Sequence, residues 1–294
     1  MLGRLPCLWF KTARELPSEA TDIDRVGLYR HSYRWALAVP CLGTEDVKMK
    51  NLNPSPNRVL LAIPAYNEEV TIDKVVHSVR ECVPDFDLLI VDDGSRDATG
   101  QILQHLGVLT ATHLCNLGYG RAIQTAIKYA LKCNYDVLIT LDADGQHAPE
   151  QVPDLYQESI NAGWDVLIGS RYVKTRDYSH VTLGRRIGMQ HFSILVKLIT
   201  GRRIYDTTSG LKLMRRTVFE PLTHWHFVDF HAEAIVYLMR LGYNIGEYPI
   251  ITAERMHGQS MYSTLSHLKY PLKTSMMILL GLIEAELTRR RMNL

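Results

Sequence analysis

The stretch DVLITLDADGQH, residues 136–147, joins a short apolar run to a cluster of acidic and polar residues. The apolar part predicts a buried strand that ends near Leu141. Asp142 and Asp144 follow in the loop, where two carboxylates separated by one residue can point to the same side. They are hard oxygen ligands of the kind that Mg²⁺ or Mn²⁺ prefers, and Gln146 offers a third oxygen. Taken alone, such a pair is more often a capped turn, so the rest of the chain must decide between the two interpretations.

Short apolar runs alternate with helical patterns on both sides of this stretch. Such alternation indicates βαβ units and a mostly parallel sheet, in which ligands bind beyond the carboxyl ends of the strands. The regular alternation stops after Gly169, and we predict one α/β domain over residues 58–255. The predicted strands are 59–63, 87–91, 108–112, 136–141, 166–169, 211–214 and 244–250, and the predicted helices are 70–82, 98–106, 120–132, 149–162 and about 232–241.

Polar residues also follow the first and the second predicted strands. The sequence PAYNE occupies residues 64–68, and DDGS occupies residues 92–95. Because the carboxyl ends of parallel strands meet at one edge of a sheet, three polar clusters imply one site. Together with the clusters at 64–68 and 92–95, Asp142 and Asp144 are better explained as metal ligands than as a capped turn.

Composition excludes several classes of partner. The 33 Lys and Arg residues nearly balance the 31 Asp and Glu residues, and a net charge of +2 gives no reason to expect nucleic acid. The five cysteines are scattered without zinc-site spacing. No signal peptide is recognisable, and the longest apolar run, 276–283, has eight residues, whereas a membrane span needs about 20. We therefore expect a cytoplasmic protein that meets a membrane only at its surface.

Seven ordered motifs carry a family resemblance. From residue 58 to about 263 the chain resembles family 2 glycosyltransferases, and in particular the dolichol-phosphate mannose and polyprenol-phosphate sugar synthase group. The resemblance implies the GT-A nucleotide-diphospho-sugar transferase fold, with a mostly parallel central sheet and flanking helices, and inversion at the anomeric carbon. The motifs are IPAYNEE (63–69), VDDGSRDAT (91–99), NLGYGRAIQTAI (116–127), DADGQH (142–147), IGSRY (168–172), DTTSGLK (206–212) and ERMHGQS (254–260).

The resemblance also implies which residues bind a nucleotide-sugar donor. It assigns Asp142, Asp144 and Gln146 to the metal ion and the diphosphate, and it assigns two residues of the R-x-x-G-x-S motif to closure over the donor. The Lys that typically follows this motif is Met261 here, which is the clearest departure from the family. The implied residues for the base and ribose are Pro64, Ala65, Tyr66, Asn67, Glu68 and Asp93, and those that close over the diphosphate are Arg255 and Ser260.

Gly118 and Gly120 have two interpretations. They do not form a dinucleotide-binding fingerprint, because no third glycine follows and the pair comes after the third strand. In the resembling family this loop lies near the donor nucleotide. A turn that opens the next helix explains the two glycines equally well.

The acceptor side follows the fifth predicted strand, where Arg171 and the polar loop 206–210 lie. A lipid-phosphate acceptor is already anionic, so it needs Arg171 for positioning more than it needs a general base. A saccharide hydroxyl would need a base, and Asp229, His231 and Glu233 are the candidates. Helix capping and surface solvation are the alternative roles for these three.

Two amphipathic segments, 183–200 and 264–291, carry apolar stripes flanked by Lys and Arg. Such stripes pack on the protein's own domain or lie on a membrane, and the pair favours a membrane surface or a membrane-protein partner. Residues 256–294 are expected to supply a donor-closing loop and an interface helix. Residues 1–57 carry no family motif, and we expect this N-terminal extension to be dispensable.

These observations predict transfer of a hexose from UDP or GDP to a polyprenyl phosphate at the inner face of the membrane. The first alternative is a family 2 transferase that acts on a saccharide hydroxyl during envelope polysaccharide assembly. The second is a catalytically idle donor-binding or scaffold protein, against which the intact Asp142 and Asp144 argue.

Overall fold

A single mixed sheet organises the part of the chain described by the computed structural model, which covers residues 57–145, 148–174, 183–224, 230–251 and 266–292. Seven strands form the sheet in the order β3-β2-β1-β4-β6-β5-β7. The strands are β1 Val59–Ala65, β2 Asp87–Asp92, β3 Leu109–Thr112, β4 Val137–Thr140, β5 Val166–Ser170, β6 Lys212–Arg215 and β7 Ile245–Pro249.

The predicted mostly parallel sheet is confirmed, with β6 as the antiparallel exception. This strand lies between β4 and β5 and runs opposite to both, so that Thr140 pairs with Lys212. Its first residues therefore lie at the same edge of the sheet as the carboxyl ends of its neighbours. The loop 206–210, which leads into β6, is carried to that edge as a result.

Helices cover both faces of the sheet, because its inner strands are apolar on both sides. Along β1, Leu60 and Ala62 belong to one buried cluster and Leu61 and Ile63 to the other. The first cluster packs under α3, α5, α6, α7 and α8, and the second under α1, α2 and α4. The helices are α1 Ile72–Cys82, α2 Thr99–His105, α3 Tyr119–Lys132, α4 Val152–Ala162, α5 Leu183–Thr200, α6 Phe219–His224, α7 Ala232–Arg240 and α8 Ser266–Met292.

The helix α6 was not predicted from the sequence pattern. Pro221 is its third residue, and proline within a short segment argues against a helix. The first helical turn tolerates proline because its N–H groups have no intrahelical acceptor. Phe219 and Leu222 are buried in the core, so packing and not intrinsic propensity stabilises this short helix.

The two predicted amphipathic segments form α5 and α8. Ile278 and Ala285 of α8 are buried against the core, and α8 packs against α7 and α5. No helix within the described ranges is long and apolar enough to cross a membrane. Residues 1–56 of the expected extension and 252–265 of the expected donor-closing region lie outside the described residues.

Candidate active site

The three polar clusters lie at one edge of the sheet, where β1, β2 and β4 end. Pro64 and Ala65 are the last residues of β1, and Tyr66 follows them with 39% of its surface exposed. Beside these strands, β5 ends at Ser170 and β6 begins at Lys212. This edge therefore combines the predicted donor and acceptor residues that the structure describes.

Two loops at this edge are tied together by hydrogen bonds between backbone and side chain. The Asn67 amide donates to Ser95 Oγ at 3.0 Å, and the Arg96 amide donates to Asn67 Oδ1 at 2.8 Å. The Glu68 amide donates to Thr99 Oγ1 at 2.8 Å. Asn67 has a left-handed φ of 55°, which asparagine adopts more readily than most residues. The loop after β1 is thus fixed by the loop after β2.

Asp93 lies buried directly after β2, and its carboxylate faces the glycine-containing loop before α3. The amides of Leu117 and Gly118 donate to its two oxygens at 2.9 and 2.8 Å. His113 Nδ1 lies 2.6 Å from Asp93 Oδ1. The contacts described for this carboxylate therefore hold the protein's own loop, and its assignment to the nucleotide stays a prediction.

Gly118 precedes α3 with a φ of 94°, a conformation that favours glycine. A Cβ at this position would meet no atom within 4 Å, so the backbone conformation and not crowding requires the glycine. Gly120 is buried in the first turn of α3. The geometry supports the turn interpretation of these two glycines, and contact with the donor stays a prediction.

The Asp142 carboxylate lies just beyond β4, where neighbouring residues restrict its position. The Tyr119 hydroxyl donates to Asp142 Oδ1 at 3.2 Å. Gly210 packs so closely that a Cβ there would lie 1.9 Å from Asp142 Oδ2. Asp144 is only 7% exposed, and Gln146 lies outside the described residues.

These carboxylates suit a divalent cation that is bound together with a substrate. Among the described residues no group of three or more His, Cys, Asp or Glu side chains could hold a metal ion. Mg²⁺ is commonly bound through one or two carboxylates plus substrate phosphates, with no closed protein cage. Asp142 and Asp144 match that donor set.

Arg171 and Asp206 form a buried ion pair beside β5. Arg171 Nε donates to Asp206 Oδ2 at 2.7 Å, and its Nη2 donates to Asp206 Oδ1 at 2.8 Å and to Thr208 Oγ1 at 3.1 Å. Burial opposes ionisation of Asp206, but the guanidinium outweighs it and holds the pKa of Asp206 below its usual range. The pair fixes the loop 206–210 against the end of β5.

Lys212 is a buried lysine that ends the motif DTTSGLK (206–212) but received no role in the sequence analysis. It opens β6, and its ammonium donates to the Ser209 carbonyl. Burial lowers the pKa of Lys212 to about 8, although Asp142, Asp206 and Glu233 all favour its charged form. The sequence LKLM offered one signal: a charged residue in an otherwise apolar strand.

Glu233 lies buried in the first turn of α7, where its Oε2 accepts the His231 amide at 3.3 Å. This contact is the capping alternative, and a role as general base stays a prediction. Burial lowers the pKa of His231 to about 3, so its ring is neutral. His231 lies beside Tyr119, with ring centroids 5.7 Å apart. The other base candidate, Asp229, and the donor-closing Arg255 and Ser260 lie outside the described residues.

Comparisons with known proteins agree with this architecture. Residues 61–223 match the profile of the family described as Glycosyl transferase family 2. UDP-N-acetylglucosamine--dolichyl-phosphate N-acetylglucosaminyltransferase of Methanococcus voltae is 31% identical over 214 residues, which cover 66% of this chain and 85% of that protein. Polyprenol monophosphomannose synthase of Mycolicibacterium smegmatis is 31% identical over 217 residues, which cover 70% of this chain and 81% of that protein.

A solved structure shares the fold. Glucosyl-3-phosphoglycerate synthase from Mycobacterium tuberculosis, in complex with Mn²⁺, UDP-glucose and phosphoglyceric acid, superposes with a TM-score of 0.54. The match covers 78% of this chain and 80% of that one at 19% sequence identity, a likeness of fold alone.

Proposed function

Because this chain belongs to glycosyl transferase family 2, we propose that it is an inverting enzyme that moves a hexose from UDP or GDP to a polyprenyl phosphate. One observation carries the proposal: the Asp142 and Asp144 carboxylates share a sheet edge with the buried cations Arg171 and Lys212. Two anionic substrates need this combination, since the donor diphosphate requires a metal ion and the acceptor phosphate requires positive charge. The names of both relatives, which specify lipid-linked products or acceptors, support the same reading.

On the donor side, Asp142 and Asp144 would hold Mg²⁺ or Mn²⁺, with Gln146 as a further oxygen ligand. When bound, such an ion neutralises charge that develops on the departing nucleoside diphosphate. Tyr119 and Gly210 keep the Asp142 carboxylate in position for this role. The base and ribose would lie against residues 64–68, which the bonds to residues 95–99 hold in place.

On the acceptor side, positive charge explains the site better than a general base does. A polyprenyl phosphate oxygen is already a nucleophile, and a guanidinium held by a carboxylate presents its N–H groups in a fixed plane. Asp206 fixes Arg171 in this way. Glu233 is buried beside the Lys212 charge and accepts a backbone amide, so it is poorly suited to remove a proton from a saccharide hydroxyl.

The outer surfaces of α5 and α8 would bring the enzyme to the inner face of the membrane. His191 Nε2 lies 3.1 Å from Ser275 Oγ, so the two helices contact each other. The large apolar residues of this surface are each between 40% and 77% exposed: Ile187, Ile194, Leu198, Met276, Leu279, Leu280, Ile283 and Leu287. Exposed apolar side chains on helices that also carry Lys and Arg are typical of interfacial helices.

Product analysis tests the transfer reaction. The purified protein is incubated with Mn²⁺ and with radiolabelled UDP- or GDP-hexose, together with either a polyprenyl phosphate or a soluble oligosaccharide. We expect label to enter the organic phase only when the polyprenyl phosphate is present. Label found only on the oligosaccharide would support the saccharide transferase, and binding of a nucleotide sugar without any transfer would support the idle donor-binding protein.

Vesicle binding tests the membrane surface. In the variant Leu279→Glu with Ile283→Glu, both substitutions fall on exposed positions, so the fold should survive while binding to anionic vesicles is lost. Val70→Glu is the matched control, because Val70 is an exposed apolar residue outside this surface. Equal vesicle binding by wild type and the double variant would contradict the membrane assignment.

A further inference from the structure

His113, which none of the motifs or proposed reaction steps uses, lies just after β3 with only 11% of its side chain exposed. Its Nδ1 lies 2.6 Å from Asp93 Oδ1, and its Nε2 lies 2.9 Å from Thr125 Oγ1 in α3. A carboxylate accepts hydrogen bonds, so Nδ1 carries the proton and donates to Asp93. The Thr125 hydroxyl then satisfies the other ring nitrogen. His113 thus connects the end of β2 to α3.

The Asp93 carboxylate holds the turn that leads into α3. It accepts the amides of Leu117 and Gly118, the two residues that precede the helix. Its negative charge also suits the positive end of the helix. This carboxylate is only 5% exposed and therefore depends on its donors for stability.

The chain of contacts continues from this turn to the proposed metal site. Tyr119 follows Gly118 directly, and its hydroxyl donates to Asp142 Oδ1 at 3.2 Å. The position of the Tyr119 backbone is therefore set by Asp93, and the orientation of the Asp93 carboxylate is set by His113. Each link is a hydrogen bond between residues that are far apart in the sequence or a direct peptide connection.

We propose that His113 is a positioning residue for the donor site, which acts through Asp93 and Tyr119 on Asp142. The inference rests on the proposed function, because it assumes that the donor diphosphate and its metal ion bind at Asp142. Without the Nδ1 donor, the Asp93 carboxylate rotates to find another partner, the turn at Leu117 and Gly118 loosens, and the Tyr119 hydroxyl moves away from Asp142. The expected result is weaker binding of the metal–nucleotide pair in a folded protein.

Two amide substitutions separate the contacts of the two ring nitrogens. In His113→Asn the amide nitrogen lies near the position of Nδ1, whereas in His113→Gln it lies near the position of Nε2. Affinity for UDP and GDP is measured by calorimetry in the presence of Mn²⁺, with the melting temperature of each variant. Losing one hydrogen bond to a charged group should weaken binding by about tenfold or more in His113→Gln, while His113→Asn should stay within about threefold of wild type.

A double-substitution cycle distinguishes this relay from a general loss of stability. Tyr119→Phe removes the last link, so the double variant His113→Gln with Tyr119→Phe should bind no more weakly than the weaker single variant. His77→Asn is the control, because His77 is exposed and bonds within its own helix.

Three outcomes would overturn the inference. They are wild-type affinity in His113→Gln, strongly reduced affinity in a folded His113→Asn, and additive losses in the double variant. Failure of the wild-type protein to bind either nucleotide would instead refute the proposed function, and the two failures are therefore distinguishable.

Discussion

The two halves of the active-site edge are built from different interactions. In the donor half, after β1, β2 and β3, the loops are joined mainly by hydrogen bonds from backbone amides to side-chain oxygens, such as that from Asn67 to Ser95. In the acceptor half, around β5 and β6, buried charges lie close together: Arg171 pairs with Asp206, and Asp142, Asp206 and Glu233 all favour the Lys212 charge. The donor half is therefore held together by several single hydrogen bonds, whereas the acceptor half depends on the pairing of buried charges.

This difference separates effects on binding from effects on stability. One hydrogen bond contributes about 0.5–1.5 kcal/mol to the free energy of unfolding, whereas removing one partner of a buried ion pair costs about 3–5 kcal/mol. Damage to the donor half should therefore appear mainly in nucleotide affinity. Damage to the acceptor half should appear first in the stability of the fold.

The largest expected effect is on kcat/KM and comes from Asp144, which follows β4, between the two halves. Asp144→Ala should reduce kcat/KM by at least about a hundredfold, because metal-ion stabilisation of a departing diphosphate contributes several kcal/mol. The melting temperature should change little, and excess EDTA should have the same effect on the wild-type protein. Asp154→Ala, at an exposed carboxylate on α4, is the control. Activity that survives either the Asp144 substitution or EDTA would remove the metal ion from the mechanism.

Breaking the acceptor-half ion pair should have the largest effect on stability. Asp206→Leu leaves the buried Arg171 guanidinium without its carboxylate and should lower the free energy of unfolding by about 3–5 kcal/mol. Adding Arg171→Met should restore much of that stability without restoring transfer. Ser95→Ala in the donor half should cost only about 0.5–1.5 kcal/mol. Denaturant unfolding measures all four proteins, and equal losses for Asp206→Leu and Ser95→Ala would contradict the contrast between the halves.

Alanine substitution at two glycines should depart from this pattern, because it acts through crowding at Gly210 and through backbone conformation at Gly118, and not through a hydrogen bond or an ion pair. In Gly210→Ala the new Cβ would overlap the Asp142 carboxylate and displace it, and a misplaced catalytic group can cost up to about a hundredfold in rate. In Gly118→Ala the new Cβ meets no atom, and the positive φ should cost about 1–2 kcal/mol of stability. Parallel measurements of kcat/KM and melting temperature test this pair. A loss of kcat/KM in Gly118→Ala but not in Gly210→Ala would contradict the prediction that Gly210 controls catalysis and Gly118 controls stability.

A pH dependence of stability is also expected, and it comes from Lys212. Burial lowers its folded pKa to about 8 from an unfolded value of 10.5. Between these values the unfolded chain binds a proton that the folded protein does not, so the free energy of unfolding should rise with pH in this window. Below about pH 8 both states are protonated and the burial penalty is fully present. Unfolding of the wild-type protein and Lys212→Met from pH 7 to 10 measures the difference, and identical slopes would refute it.

Much of the donor half could be predicted from the sequence, because its strands and helices follow from patterns within short stretches of the chain. The predicted strand 87–91 and helix 120–132 differ from β2 and α3 by a single residue. The motifs after β1, β2 and β4 also pointed to one edge, since the parallel βαβ connection brings strand ends together. The role of His113 was not accessible, because its contact with Asp93 depends on the register of β2 with β3.

The acceptor half was less predictable because its contacts cross long stretches of sequence. The run 211–214 predicted a strand, but nothing in it specified an antiparallel strand between β4 and β5. Without that topology the proximity of Lys212 to Asp142 and Glu233 cannot be derived. Likewise, Arg171 was predicted to face the acceptor, but its pairing with Asp206 emerges only once both residues lie at the same edge.

The central position of β6 also has a consequence for the order in which the chain is made and folded. β4 and β5 emerge from the ribosome before β6, yet neither can pair with the other, because β6 must lie between them. Until residues 212–215 are synthesised, the apolar strand β4 has an open edge that could accept a wrong partner. A substitution that delays insertion of β6 should therefore lower the yield of soluble protein during synthesis, even when the finished enzyme is stable and active.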